Sequence, residues 1–549
     1  MTAQPETPGS PAATPDSLPL IESLPPPAAP APKPFPPPLI KTAPAERNAG
    51  DVRWIRLWAW TIGAAIVAIT AWRIAALHLT PMPLFFDEAQ YWDWSRRLSF
   101  GYFSKPPLLA WLIAAATGIF GHAEAAIRMA SPVMHAVAAA FIGMAGYRLG
   151  GASPSGARLG GLAALVYISL PGVAVSSGII STDAPLLACW AMALFGFWRA
   201  IETNQRQWWL LTGAAIGLGM MAKYIMALFA LSAVLYLMLT PARRTSSGLA
   251  GPAAAIGIAL LIVAPNIAWN VFNGFVTFSH TAANANLGGT LFNPAKMAEF
   301  VGAQFGVFGP ITFAILVGLL VTARRWWRDE RARFLIVFAA PPLLIMIAQS
   351  FISRAHANWA APTYVAASLL VVAWADQARR WIVPAAIAIH LALQVPIAHF
   401  DVVVRAFGHD LSAKRDPFRR NRGWDDIGRQ IAAHLAERPG SVLLADDRMP
   451  LVEMLYYANA PRVVKWNPNG LRRDHYDMST SMRDLAGRDV LLMTKTPDAT
   501  PVRPYFDSAT PRGTVWTVTH PDGYVEYEIY WLKGYRGTAP SPQAAPLAQ

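Results

Sequence analysis

The sequence predicts an α-helical polytopic membrane protein that carries a small α/β domain at its C-terminal end. Three observations lead there. Of 549 residues, 54% are hydrophobic and 14% charged, with a mean hydropathy of +0.31, too apolar for an ordinary soluble chain. Apolar runs of roughly 15 to 24 residues recur, the length a bilayer core demands. Residues 401–549 then change character, to short β-type runs and one amphipathic helix.

Taken in order, residues 1–50 are rich in Pro and Ala and lack the parts of a signal peptide. They are expected to be a disordered cytoplasmic tail of polyproline II character. Candidate spans follow at 57–79, 129–148, 159–180, 184–202, 208–222, 224–240, 249–268, 299–322, 333–352, 358–376 and 381–400, giving about eleven to thirteen within a membrane part covering 51–400. The formal charge of +13 is dispersed in short Arg clusters between these runs, which excludes a nucleic-acid block and suits the positive-inside rule. With the N-terminus cytoplasmic, Arg148, Arg158, Arg199, Arg206, Arg243, Arg244, the stretch 323–333, Arg379 and Arg380 fall inside. The opposite side receives 80–128, 181–183, 266–298, the segment around His356, and 401–549. The single cysteine, Cys189, lies in an apolar run, where it excludes an intramolecular disulfide and a Cys-based zinc site.

Within 401–549, "GWDDIGRQIAAHLAERPG" has helical periodicity, and "SVLLADD", "RVVKWN", "DVLLMTK" and "GYVEYEIYWL" read as strands. No phosphate loop, metal spacing or nucleophile elbow occurs there. This domain is expected to cover or orient a substrate.

The chemistry gathers in "FFDEAQYWDWSRRLSFGYFSKPPLLAW", residues 85–111. If 86–98 is a short helix at the membrane surface, Asp87, Tyr91 and Trp94 share one face. Asp87 and Glu88 either cap that helix or serve a site. Lys105 precedes Pro106 and is biased to extended backbone, where its ammonium either meets a phosphate or snorkels. Asp183 stands where one span ends and the next begins, a costly place for an acid unless it is paired or solvated; helix capping is its other role.

Together, "FDEAQYWDWSRRLSFGYFSKPPLLAW", "STDAPLL", "GLGMMAKY", "PNIAWNVFNGFVTFSHT", "EFVGAQFGVFGP" and "HANWAAPTYVA" resemble the lipid-carrier-dependent glycosyltransferases of the GT-C superfamily. The relatives are the protein O-mannosyltransferases and the lipid A aminoarabinose transferases, and the resemblance is strongest to members that place galacturonic acid on lipopolysaccharide core or lipid A. It covers about residues 55–400. It implies catalytic roles for Asp87, Glu88 and Asp183, donor phosphate and lipid contacts for Lys105, Tyr102 and Lys223, and substrate contacts for Gln90, Tyr91 and His280. Two further residues carry two readings each: Asn270 bonds a sugar or ends a helix at the interface, and His356 is a substrate ligand or an interfacial hydrogen-bonding residue. Gln90 stands where the aminoarabinose transferases have an arginine, a departure that leaves the same donor and the same phosphate contacts without support.

The implied partners are a polyprenyl-phosphate sugar, a glycolipid or glycan acceptor and the bilayer, with no nucleic acid. No cofactor is expected. A divalent metal is compatible with the superfamily, but Asp87, Glu88 and Asp183 have no diagnostic ligand spacing. The implied reaction is a single displacement with inversion in the bacterial inner membrane, its site and C-terminal domain periplasmic. A protein acceptor, and a lipid-linked-sugar flippase, are the alternatives; the latter would call for an internal repeat, and none is evident.

Overall fold

The computed structural model describes residues 38–40, 48–79, 82–286, 291–398, 403–404, 406–408 and 410–537. Most of the tail expected over 1–50 lies outside these residues. At its end, Leu39 and Ile40 are buried: the Leu39 carbonyl accepts from the Gln377 amide, and the Ile40 N–H donates to Asp329 Oδ2 at 3.0 Å. These two apolar side chains are therefore part of the helical core, not of a tail.

Every expected span falls on helix, but length and continuity differ. Among the described residues, five helices are long and apolar enough to cross a membrane: Ala49–Leu79, Glu124–Leu149, Asp183–Thr203, Ala250–Phe272 and Glu330–Ile352. Two bent pairs raise the number to seven: Pro154–Ser169 with Pro171–Ser177 at 59°, and Tyr224–Leu239 with Pro241–Ser247 at 106°. The others are shorter, such as Arg206–Ala222 and Thr363–Ala378. The run 299–322 is broken into Pro294–Val307 and Pro310–Val321, because Gly309 adopts φ +84, a conformation that ends a helix at little cost only for glycine. The short helix Thr363–Ala378 is buried along most of its length, so the protein around it satisfies what lipid could not.

The C-terminal sheet has the order β2-β1-β3-β5-β4, with β1 (Val442–Ala445), β2 (Val463–Lys465), β3 (Val490–Thr494), β4 (Phe506–His520) and β5 (Gly523–Tyr535). β1 is parallel to both β2 and β3, whereas β5 is antiparallel to β3 and β4. β1 and β3 are buried at every position, as expected for central strands covered on two faces. Trp424, Ile427 and Ile431 cover one face, against Leu443, Leu491 and Trp531. The four strands read from sequence are present. β4 escaped that reading because Pro511 and Gly513 interrupt a largely exposed edge strand at a register shift, a setting in which proline is tolerated.

One connection decides the position of the site. After β1 the chain forms the helix Arg448–Tyr457, capped by Asp447, whose side chain accepts the Met449 N–H. Leu451, Val452 and Leu455 of this helix share a core with Leu84, Ala89, Trp92 and Leu109. The sheet domain is thus anchored through apolar contacts on the Phe86–Ser95 helix.

Candidate active site

A cavity of about 910 Å³ opens between the helical bundle and the sheet domain. Its walls include Asp87, Gln90 and Tyr91 from one helix, Lys105, Asp183, Lys223, His280, His356 and Asn358 from the membrane part, and Arg448, Arg473 and His475 from the C-terminal domain.

The Phe86–Ser95 helix sorts its own side chains by period. Positions i, i+3 and i+4 lie on one face, so Asp87, Gln90 and Tyr91 line the cavity while Glu88 turns away. Glu88 is 2% exposed. Its carboxylate accepts from Arg128 Nη2 at 2.6 Å and Nε at 2.9 Å, from the Ile180 N–H at 2.8 Å and from the Phe85 N–H at 3.0 Å. These four donors leave it no acceptor capacity for catalysis, and it lies outside the cavity wall. The catalytic role expected for Glu88 is therefore replaced by a structural one: it caps its helix and ties it to the segment before Asp183.

This pair yields a stability prediction. Glu88→Ala leaves the Arg128 guanidinium, 4% exposed, as a buried unpaired charge, a change that costs about 3–5 kcal/mol. A markedly lower melting temperature in detergent is expected; an unchanged one would show that the pair contributes nothing.

Lys105 is presented by a braced loop. The Tyr102 ring stacks on Trp94 at 4.5 Å, its hydroxyl lies 3.0 Å from the Trp94 carbonyl and accepts the Ser99 N–H, and its backbone N–H donates to the Lys105 carbonyl. Tyr102 is not part of the cavity wall; the phosphate contact expected of it gives way to support of the loop that carries Lys105. Gly101 allows the same loop to pass under Trp269, where a Cβ would come within 2.4 Å of the indole. The Lys105 ammonium has no hydrogen-bond or ion-pair partner among the described residues. Burial first, and then the neighbouring Lys223, hold its ammonium below the ordinary lysine range.

Asp183 is the first residue of its helix and is 7% exposed. Lys223 Nζ donates to its Oδ1 at 2.7 Å and Asn358 Nδ2 to its Oδ2 at 2.5 Å. Lys223 reaches it because extended backbone there, φ −162, ends the Arg206–Ala222 helix. The cost of an acid at this depth is offset by that pairing. Lys223 is therefore committed to Asp183, and Lys105 is the more available ammonium for an incoming anion.

His280 and His356 line the cavity as expected. Burial, with Lys105 and Arg448 nearby, pushes His280 down to about 4; burial and Arg354 lower His356. Both shifts favour the neutral imidazole. Asn270 is fully buried and absent from the wall: its amide donates to the Asn266 carbonyl at 3.0 Å and to the Tyr224 hydroxyl at 3.3 Å. It braces a helix end, the structural one of the two roles open to it from the sequence, and does not reach the cavity.

Sequence reading missed Arg448 altogether. Its Nη1 donates to Asp87 Oδ1 at 3.2 Å and to Gln90 Oε1 at 2.9 Å. The available signal was "LLADDR", a strand end followed by an acidic N-cap, since loops after strand carboxyl ends commonly carry ligand contacts in α/β folds. Among the described residues no group of three or more His, Cys, Asp and Glu side chains is placed to hold a metal ion. The arrangement sets a carboxylate, Asp87, and an unpaired cation, Lys105, on one cavity.

Comparison with known proteins agrees with this architecture. The family model for dolichyl-phosphate-mannose-protein mannosyltransferases matches residues 104–269. Lipid A galacturonosyltransferase RgtD of Rhizobium johnstonii is 30% identical over 436 residues, covering 78% of this chain and 89% of the relative. Lipopolysaccharide core galacturonosyltransferase RgtA of the same organism is 26% identical, covering 65% and 67%. The crystal structure of ArnT from Cupriavidus metallidurans bound to undecaprenyl phosphate superposes with a TM-score of 0.59 at 15% identity, covering 88% of this chain and 99% of that one. That likeness is one of fold. On its identity to the Rhizobium enzyme across most of both chains, this protein belongs to the GT-C family of multi-pass membrane glycosyltransferases that use lipid-linked sugar donors.

Proposed function

We propose that this protein transfers a hexuronic acid, of the galacturonic type, from a polyprenyl phosphate carrier to lipid A or the lipopolysaccharide core at the extracytoplasmic face of the inner membrane. The observation that carries the reading is the presence of Asp87 and the unpaired Lys105 ammonium on one cavity. The names of the Rhizobium relatives support the sugar and the acceptor, and the ArnT complex supports the carrier. The distribution of arginines between the apolar runs supports the placement of the cavity outside.

In this mechanism an acceptor hydroxyl oxygen attacks the anomeric carbon as the bond from that carbon to the phosphate oxygen breaks, with inversion. The electron pair leaves on the lipid phosphate, where the Lys105 ammonium meets the developing charge. A fixed cation contributes most at that moment. Asp87 takes the acceptor proton, and Asp183 holds Lys223 and Asn358 in the wall. Residues 401–549 act as one extracytoplasmic domain that completes the cavity.

A protein acceptor is the second reading, favoured by the match to the protein mannosyltransferase model. Mass spectrometry of lipid A and core oligosaccharide from host cells with and without the gene separates the two. Loss of one hexuronate mass, restored by the wild-type gene, is the expected result. An unchanged glycolipid profile with an altered glycoprotein profile would overturn the lipid acceptor.

A further inference from the structure

Arg448 comes to the cavity from a part of the chain that the membrane helices do not supply. It opens the helix Arg448–Tyr457, whose apolar face is fixed on the Phe86–Ser95 helix, so its backbone is held relative to Asp87. Its guanidinium carbon lies 4.8 Å from the centre of the Phe86 ring, which restricts the plane of the group. Both of its hydrogen bonds, to Asp87 and to Gln90, run through Nη1. Nη2 and Nε have no partner among the described residues, and the side chain forms part of the cavity wall.

A guanidinium held by one nitrogen presents a fork at the other edge. Two parallel N–H donors from Nε and Nη2 match the two oxygens of a carboxylate, a bidentate geometry that an ammonium cannot reproduce. The other cations of the wall are placed differently: Lys223 is held by Asp183, Lys105 is a point charge suited to phosphate, and Arg473, the other guanidinium, is exposed and has no side-chain hydrogen bond among the described residues to fix its plane.

We propose that Arg448 is the specificity-determining residue for the donor sugar, gripping the carboxylate of a hexuronic acid with Nε and Nη2 while Nη1 stays on Asp87 and Gln90. This rests on the reading of the cavity as the donor site. Tethering the sugar through the residue that also holds Asp87 couples recognition of the acidic sugar to placement of the base. A neutral hexose, with a hydroxymethyl group in place of the carboxylate, leaves the fork without its charged partner. A cationic sugar meets a like charge.

The test uses the full-length protein in nanodiscs with lipid A acceptor and two synthetic donors on the same polyprenyl phosphate, a hexuronate and the corresponding hexose. Wild type is expected to favour the hexuronate in kcat/KM by on the order of 10²-fold, the scale of losing charge-assisted hydrogen bonds. Arg448→Gln is expected to slow both donors, because the hold on Asp87 is lost with it, and to slow the hexuronate by a further 10-fold or more, on the order of one charge-assisted hydrogen bond, so that most of the preference disappears. Arg448→Lys should restore part of it. The ratio between donors cancels the folded fraction, so a poorly folding variant still reports. An equal loss on both donors, or a wild type without preference, overturns the role of Arg448 while the transferase reading stands. A wild type inactive with both donors would overturn the donor reading itself, and this inference with it.

Discussion

Asp87→Asn is expected to lower kcat by about 10²- to 10⁴-fold, the contribution of a positioned general base, with little change in stability. The substitution keeps an oxygen for Arg448 Nη1, which bonds Asp87 Oδ1 at 3.2 Å. It does not disturb the buried ion pair, because that pair is made by Glu88. The Asp87 side chain is 38% exposed, so its ion pair with Arg448 is expected to contribute little to folding. The measurement is transfer of labelled sugar to lipid A by purified protein, alongside a melting curve. Near-normal turnover would remove Asp87 as base and assign it to orientation, as a phosphate-oxygen acceptor, which carries no proton to remove, would require.

The second large effect is expected at Lys105. Lys105→Met should lower kcat/KM by about 10²- to 10³-fold, the scale of removing one preorganised donor at a developing anion. Lys105→Arg should retain more, because the charge survives although its geometry changes. The pH profile carries the sign. Burial and Lys223 depress the Lys105 ammonium, so the cationic free enzyme is lost as pH rises through that lowered value. The alkaline limb of kcat/KM should then lie below the ordinary lysine range. Lys105→Arg, protonated throughout, should lose that limb. An identical alkaline limb in wild type and Lys105→Arg would mean that another group sets it and that the Lys105 charge is not what the donor meets.

Much of this architecture was legible before any fold was known, for reasons that are local. Apolar run length marks spans, and the eleven expected segments all became helix. Alternation and β-branched runs located four of five strands. The residues 85–111 announced a site because acids, aromatics and a lysine are anomalous beside a membrane run, and Asp87, Lys105 and Asp183 do line one cavity.

The sequence by itself determined the membrane class, the order of its elements and the stretch in which the chemistry sits, since these depend on composition and period over a few tens of residues. Only the tertiary structure separated Asp87 from Glu88. Adjacent residues on a helix point about 100° apart, and which direction is cavity is set by what packs on the other side, here Arg128 and Ile180. It also withdrew Tyr102 and Asn270 from the substrate, because their polar atoms are consumed by neighbouring backbone carbonyls and a phenol. And it brought Arg448 to Asp87 across 361 residues of chain, a contact that no local pattern encodes, because it is made by the docking of one apolar helix face on another.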